Sequence, residues 1–488
     1  MKVLTASAMR KVDQQTIELG LPGIVLMENA AHRVVEEMVQ FFGPLAPNRI
    51  VVLCGKGNNG GDGLAIARLL FVRHGALSLD VVLFEDPAQL RGDALANLRM
   101  LEAAGVACLR QIPNRAVLAT IVVDAVLGTG IIGSARGGAF DAIEAINSAF
   151  PLAKVVAVDL PSGMSSDAGS QDGLIARADV TVTFTAPKLC HVMPPNCNRL
   201  GKLVVVPIGS PEHLLESDIH IAEAIEFHSL FGQRPRGAYK GNFGHVLLVG
   251  GTTGKSGAIK MAGLAALRAG AGLVTVASQS SELSAELMTH PLTEAEVALD
   301  GKTVLAAGPG LGTSPEAAHL LERLLEKPAP ITVLDADALT LLSATSWKAT
   351  AATVLTPHPG EMSRLLRCTI AEVELDRIAA VKRCAQERNA IVVLKGERSL
   401  IATPAGLVFI NPTGSPALAK AGSGDILTGL VAGLLAQFPD DVLLATRAAV
   451  YLHGLAGDLG AAAIGEKCLL ATDLLGFLGE AMRVLHPL

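Results

Sequence analysis

Residues 411–430, NPTGSPALAKAGSGDILTGL, anchor the reading of the fold. The stretch opens on turn residues, passes through AGSGD and runs into ILTGLVAGLLAQF, an apolar segment that reads as a buried helix. Gly422 and Gly424 let the backbone turn tightly and present N–H groups outward. The helix that follows aims its positive end at the same spot. Together they make an anion site suited to a phosphate. Asp425 stands where the loop becomes the helix, and two readings stay open for it. It is an N-terminal cap, or it is a general base beside a bound phosphate, taking a proton from an attacking hydroxyl.

Working outward, a chain of 488 residues predicts two domains. Half of the residues are apolar, 50 are glycine and only 3% are aromatic. That mix suits small-residue helices packed on buried parallel strands, an α/β class. The net charge of −6 and the absence of a basic block argue against nucleic acid as a partner. The 7 cysteines form no C-x-x-C and read as reduced thiols of a cytoplasmic protein. Cys190, His191 and Cys197 match no zinc spacing. The N-terminus has no signal-peptide stretch. The charge-free run 399–419 is broken by Pro404, Pro412 and Pro416, so no membrane span is expected.

In the first half, helices are expected over 5–19 and, following Pro22 and Gly23, to about Phe41, then a strand, RIVVLC, over 49–54. GKGNNGGDG, 55–63, reads as a glycine loop before a helix, a phosphate-cradle arrangement. Gly55, Gly57 and Gly60 satisfy G-x-G-x-x-G, and Glu85 and Asp86 stand where a ribose-binding acid would. A dinucleotide dehydrogenase is therefore a first expectation, on a weak motif. Asn58, Asn59 and Asp62 are unusual for it. They bring amide and carboxylate oxygens to the strand end, for a cation or ribose hydroxyls, or they simply make a tight turn. Further strands at 120–130, 154–163 and 180–188 carry Asp124, Asp159 and Ser162 at or near their ends. With Asn59 these residues converge on the rim where α/β sheets bind ligands. Each alone suits turn capping; together they suit a cation with oxygen ligands.

Strand content is expected to stop after LVVVPIG, 203–209, with a linker over 210–235. The second half alternates again, through 245–250, 306–314, 332–339, 356–366 and 392–401. GKSG at 254–257 approaches a Walker A loop, but its spacing fails. His358 is held between two prolines beside Glu361, and Lys395 and Gly396 follow a strand end. The halves share a pattern but no sequence repeat, so they read as two different α/β domains.

NNGGDG, VDAVLGTG, VDLPSG and TFTAPK, then GPGLG, LDADAL, TPHPGE, LKG, AGSGD and HGLAGD, follow one another over nearly the whole length. In this order the motifs resemble the bifunctional NAD(P)H-hydrate repair enzymes. The resemblance implies a Rossmann-like three-layer sandwich over 1–215, an epimerase of the R and S hydrates. It implies a ribokinase-like domain over 225–488, which dehydrates the S form with ADP, or in some relatives ATP, and Mg2+. Asn58, Asn59, Gly60, Gly61 and Asp62, with Gly128, Thr129, Gly130, Ile131, Ile132, Gly133 and Ser134, would hold the first substrate. Asp159 would be catalytic there, and Asn59, Asp124 and Ser162 would bind K+. Ala258, Gly310, His358 and the catalytic Asp425 would face the second substrate. Lys395, Gly396, Glu397, Arg398, Ser399 and Gly424 would face the nucleotide. Two departures stand out: Ser415, Pro416 and Ala417 replace an expected Asn-Pro-Gly, and TTGKSG precedes Ala258 where an aromatic is expected. The competing reading is a ribokinase-like small-molecule kinase with an accessory nucleotide-binding domain. A homo-oligomer is left open.

Overall fold

Short runs of Val, Ile and Leu become strands buried on both faces, and the Ala- and Gly-rich segments between them become covering helices. The computed structural model describes residues 1–488 except 77, 131–132, 170–171, 281–282, 328–330 and 487–488. The chain forms two compact units, Met1–Ser217 and Asp218–Leu488.

The first unit holds β1 (Ile50–Cys54), β2 (Leu79–Leu83), β3 (Cys108–Leu109), β4 (Ile121–Ala125), β5 (Lys154–Val158), β6 (Val180–Phe184) and β7 (Lys202–Val206). They form one parallel sheet in the order β3-β2-β1-β4-β5-β6-β7. The chain reverses its direction of travel across the sheet between β1 and β4, so a crevice opens beyond their carboxyl ends. The helix after β1 begins at Asn58, not after Gly63 as the sequence suggested. Its glycines serve close packing rather than a long flexible loop. A Cβ on Gly60 would lie 1.8 Å from the Gly55 carbonyl oxygen, and one on Gly63 2.5 Å from Ala125 Cβ. The helix thereby presses its N-terminus onto the strand ends.

The second unit holds β8 (Ile219–Ile221), β9 (His245–Val249), β10 (Leu273–Ser278), β11 (Met288–Pro291), β12 (Val304–Ala307), β13 (Ile331–Leu334), β14 (Ala352–Leu355), β15 (Ile391–Leu394), β16 (Leu400–Ala402) and β17 (Val408–Ile410). Their order is β11-β10-β9-β12-β13-β14-β15-β16-β17-β8, with β16 antiparallel to both neighbours and the remaining pairs parallel. Strand β8 corrects the linker reading of 210–235. Its three residues, Ile-His-Ile, are too short to signal a strand, and β17 supplies the pairing that makes them one. The reversal here lies between β9 and β12. The helices Ser256–Ala269 and Ser423–Gln437 pack backbone to backbone, with a Cβ on Gly429 only 2.1 Å from the Ala262 carbonyl oxygen. Among the described residues no helix is long and apolar enough to cross a membrane.

Candidate active sites

In the first unit a cleft of about 540 Å³ opens at the β1/β4 reversal. Asn58, Asn59, Asp62, Gly128, Thr129, Gly130 and Asp159 line it. Gly60 and Gly61 lie beneath it, packed against Gly55 and Met27. Ser134 donates to the Asp172 carbonyl at 3.3 Å, and both it and Gly133 are exposed outside the lining. Ile131 and Ile132 lie outside the described residues.

Asp159 follows β5 with a φ of 68°, a left-handed conformation uncommon for a residue with a side chain. Lys188 Nζ donates to its Oδ1 at 2.7 Å, and Thr183 Oγ1 donates to the same oxygen at 2.9 Å. Lys188 is 1% exposed and also reaches Thr183 Oγ1 and the Phe184 carbonyl. Burial pushes the Asp159 carboxyl up, but the Lys188 ammonium and these hydrogen bonds outweigh it and hold it below the usual carboxylate range. His191 Nδ1 accepts from the Lys188 backbone N–H, and burial lowers the ring to about 3, so it stays neutral.

Behind this wall, Ser162 Oγ donates to Asp124 Oδ1 at 2.5 Å, and the Ser162 N–H donates to Oδ2 at 2.8 Å. Burial raises the Asp124 carboxyl to about 6 despite these bonds. Leu127 N–H donates to Ser162 Oγ, and the next residue, Gly128, packs on Asn59, whose Oδ1 lies 3.6 Å from a Gly128 Cβ. The two polar side-chain atoms of Asn59 are buried and, among the described residues, unpartnered. An orphaned amide costs a few kcal/mol, about 1–3, unless something fills it. Among the described residues no group of three His, Cys, Asp or Glu side chains is set to hold a metal. A donor set of one carboxylate, an amide and a hydroxyl fits a weakly charged monovalent cation.

In the second unit the helix Ser423–Gln437 starts at the loop that was read as an anion site. Gly422 is its cap residue, with φ 92°, a conformation that suits glycine. The cap reading of Asp425 therefore falls: it lies inside the first turn, and among the described residues nothing hydrogen-bonds its carboxylate. His453 Nε2 lies 3.2 Å from Ser423 Oγ and 3.0 Å from its carbonyl oxygen, holding the start of the helix. Beside Gly424, Lys395 Nζ donates to Asp335 Oδ1 at 2.7 Å, and Thr428 Oγ1 donates to Asp335 Oδ2 at 2.7 Å. A Cβ on Gly424 would sit 3.4 Å from Lys395 Nζ. Burial, then the neighbouring Asp335 charge, push Asp425 up to about 6 against the pull of Lys395. Burial pushes Lys395 down, but Asp335 and Glu361 more than compensate, so it stays charged.

His358 caps the helix Pro359–Leu366. Its Nδ1 accepts from Gly360 N–H at 3.0 Å, its own N–H donates to Glu361 Oε2, and half of its side chain is exposed. Gly310 has φ 62° and packs under Lys255, which lies 3.2 Å from Asp337. Ala258 lies in the first turn of the helix Ser256–Ala269, which leaves this loop. Gly396 and Arg398 take positive φ, Arg398 donates to the Pro412 carbonyl, and Ser399 Oγ donates to the Gly396 carbonyl. The Glu397 carbonyl accepts from Arg377. Ser415, at the departure from the expected turn, has a buried hydroxyl with no partner among the described residues.

Sequence reasoning missed Lys188 and Thr183 in the first site, and Asp335, Asp337 and Thr428 in the second. The motifs TFTAPK and LDADAL contained four of them, but ordinary strand ends carry such residues too. Only the folded contacts mark them out.

A family model described as NAD(P)H-hydrate dehydratase matches residues 246–478, and one described as YjeF-related protein N-terminus matches 23–190. A bifunctional NAD(P)H-hydrate repair enzyme Nnr of Moorella thermoacetica is 41% identical, covering 100% of this chain and 97% of the relative. The protein of that name from Escherichia coli is 37% identical over 90% of this chain and 85% of the relative. Among solved structures, an ADP/ATP-dependent NAD(P)H-hydrate dehydratase from Bacillus subtilis, co-crystallized with ATP/Mg2+, is 29% identical with a TM-score of 0.51. It covers 55% of this chain and 99% of that chain. A ribokinase-like superfamily protein from Enterococcus faecalis is 31% identical with a TM-score of 0.50, over 56% of this chain and 98% of that one. With ten motifs in order, two α/β units and full-length relatives at this identity, the chain belongs to the family of bifunctional NAD(P)H-hydrate repair enzymes.

Proposed function

We propose that the chain repairs hydrated NADH and NADPH, with residues 1–215 epimerising the R and S hydrates and residues 225–488 dehydrating the S form. The observation that carries the reading is Asp425: a carboxylate in the first turn of a helix, without a hydrogen-bonded partner among the described residues, beside a charged Lys395. In the dehydratase, Asp425 takes the proton of the ring hydroxyl as its oxygen attacks the nucleotide's terminal phosphorus. The first-turn N–H groups and Lys395 stabilise the charge on the transferring phosphoryl group. ADP leaves as AMP, and the phosphorylated ring then loses phosphate with the C–O electron pair. A proton leaves the adjacent carbon, and the reduced nicotinamide is restored. Lys395 to Ser399 and Gly424 form the nucleotide side. Ala258, Gly310 and His358 form the hydrate side. Mg2+ would accompany the nucleotide and offset its phosphate charge, and Asp425 with the two carboxylates that act on it, Asp335 and Asp337, would be the acidic groups available to hold it.

In the epimerase, Asp159 lies beside the reacting ring, and Asn58 to Asp62 with Gly128 to Ser134 hold the substrate. Asn59, Asp124 and Ser162 would hold K+, whose charge would organise the loop after β4. Reduced cysteines agree with a cytoplasmic setting.

A mixed-epimer preparation of hydrated NADH, incubated with protein, Mg2+, K+ and either ADP or ATP, tests the reading through the return of reduced-nicotinamide absorbance. Full recovery with ADP is expected. Recovery that stops at the share of one epimer removes the epimerase assignment. No recovery with either nucleotide removes the repair function in favour of a small-molecule kinase.

A further inference from the structure

The helix Ala6–Glu18 forms a wall of the epimerase cleft that lies outside the matched family region, which begins at residue 23. Its placement follows from the segment before it. Leu4 bridges in parallel to Lys188, with its N–H donating to the Pro187 carbonyl at 2.9 Å. Thr5 then caps the helix, accepting from Ala8 N–H, and Ala6 N–H donates to Asp167. The chain is thus pinned to the residue that clamps Asp159. Ala6, Met9, Val12 and Thr16 face the core, which turns Arg10, Asp13 and Ile17 into the cleft.

Asp13 is the singular group on that wall. Among the described residues no hydrogen bond or ion pair engages its carboxyl, whereas Asp159 is held by Lys188 and Thr183. Burial raises Asp13 to about 6, against the lowering pull of the Lys188 charge and with a further push from Asp159. Asp62, also in the cleft, is pushed well above the carboxylate range by burial and by Asp159 and Asp13.

Epimerisation needs chemistry on both faces of one ring carbon, and a single carboxylate serves only one. We propose that Asp13 is the second proton-transfer group of the epimerase, working on the ring face opposite Asp159. This rests on the epimerase reading above. The protonated Asp13 gives its proton to the hydroxyl on the hydrated ring carbon. The C–O bond breaks, its electron pair leaving with water, and the ring nitrogen's lone pair forms a C=N bond. Water adds to that carbon from the other face while Asp159 takes its proton, and the C=N pair returns to nitrogen. Bulk water returns a proton to Asp13 and removes one from Asp159, so the net change is inversion alone. In the opposite direction the two groups exchange roles.

The test uses the full chain, purified epimers of hydrated NADH and K+, with Asp13→Asn and Asp13→Glu. Asp13→Asn is expected to lower the epimerase kcat at least about 100-fold, in the range of general acid–base catalysis. KM should stay within about threefold, which shows that the cleft still forms. The wild-type rate should change near pH 6 and the Asn variant should lose that feature, with Asp62, Asp159, Lys188 and Arg10 still in place around it. Asp13→Glu is expected to recover part of the rate. Asn activity within about threefold of wild type, or Glu no better than Asn, overturns the proposal. A wild-type chain that does not epimerise at all overturns the epimerase reading instead.

Discussion

Lys395 Nζ lies 2.7 Å from Asp335 Oδ1, and Asp335 is 1% exposed. The pair joins the carboxyl end of β15 to that of β13 and sets a positive charge beside Gly424. Asp335 thus supports the dehydratase site without being a proton-transfer group. Asp335→Asn leaves Lys395 with Glu361, at 3.8 Å, as its nearest acidic partner. Removing one member of such a buried pair costs about 3 kcal/mol or more. Urea unfolding should show this loss, together with weakened nucleotide binding.

Burial and the neighbouring Asp335 charge push the Asp425 carboxyl up to about 6, from 3.8 for an ordinary aspartate. A base works only when deprotonated, so the dehydration rate should fall as pH drops below about 6. Between pH 3.8 and 6 the folded chain holds a proton that the unfolded chain has released, so this group's contribution to stability falls as pH rises through that window. Asp425→Asn removes the penalty. At pH 8 the variant should be more stable by up to about 3 kcal/mol, with dehydration abolished and epimerisation intact. Retained dehydration would remove the base assignment.

The unpartnered Asn59 amide predicts a stability that depends on K+. Thermal melts of the first unit's transition should rise with KCl and less with LiCl at equal ionic strength. Asn59→Leu should lose the difference. A KCl effect of equal size in the variant would separate Asn59 from the cation.

Gly429 faces the Ala262 carbonyl across the two packed helices of the second unit. Gly429→Ala forces those backbones apart and should destabilise by about 1–3 kcal/mol. Gly479, with open space at its Cβ position, is the control. Gly479→Ala should be neutral or stabilising, since alanine is the better helix residue by about 1 kcal/mol.

The α/β class, the strand ends carrying Asp124, Asp159 and Lys395, and the glycine turn before Asp425 were legible in the chain. They depend on local periodicity and turn chemistry, which neighbouring residues decide. The sequence also determined the family, because ten motifs recur in order. Gly60, Gly61 and Gly63 were misread as loop because their reason is the close approach of Gly55, of Met27 and Ala94, and of Ala125, contacts that no local pattern reports. Strand β8 was invisible for the same cause: three residues take strand form only when β17 pairs with them. Which carboxylates stay charged was decided by the tertiary structure alone. Asp159 has Lys188 within 2.7 Å, whereas Asp13 and Asp425 are half-buried and, among the described residues, have no hydrogen-bonded partner. Burial and a paired charge oppose each other in setting protonation, and both depend on residues brought together from distant parts of the chain.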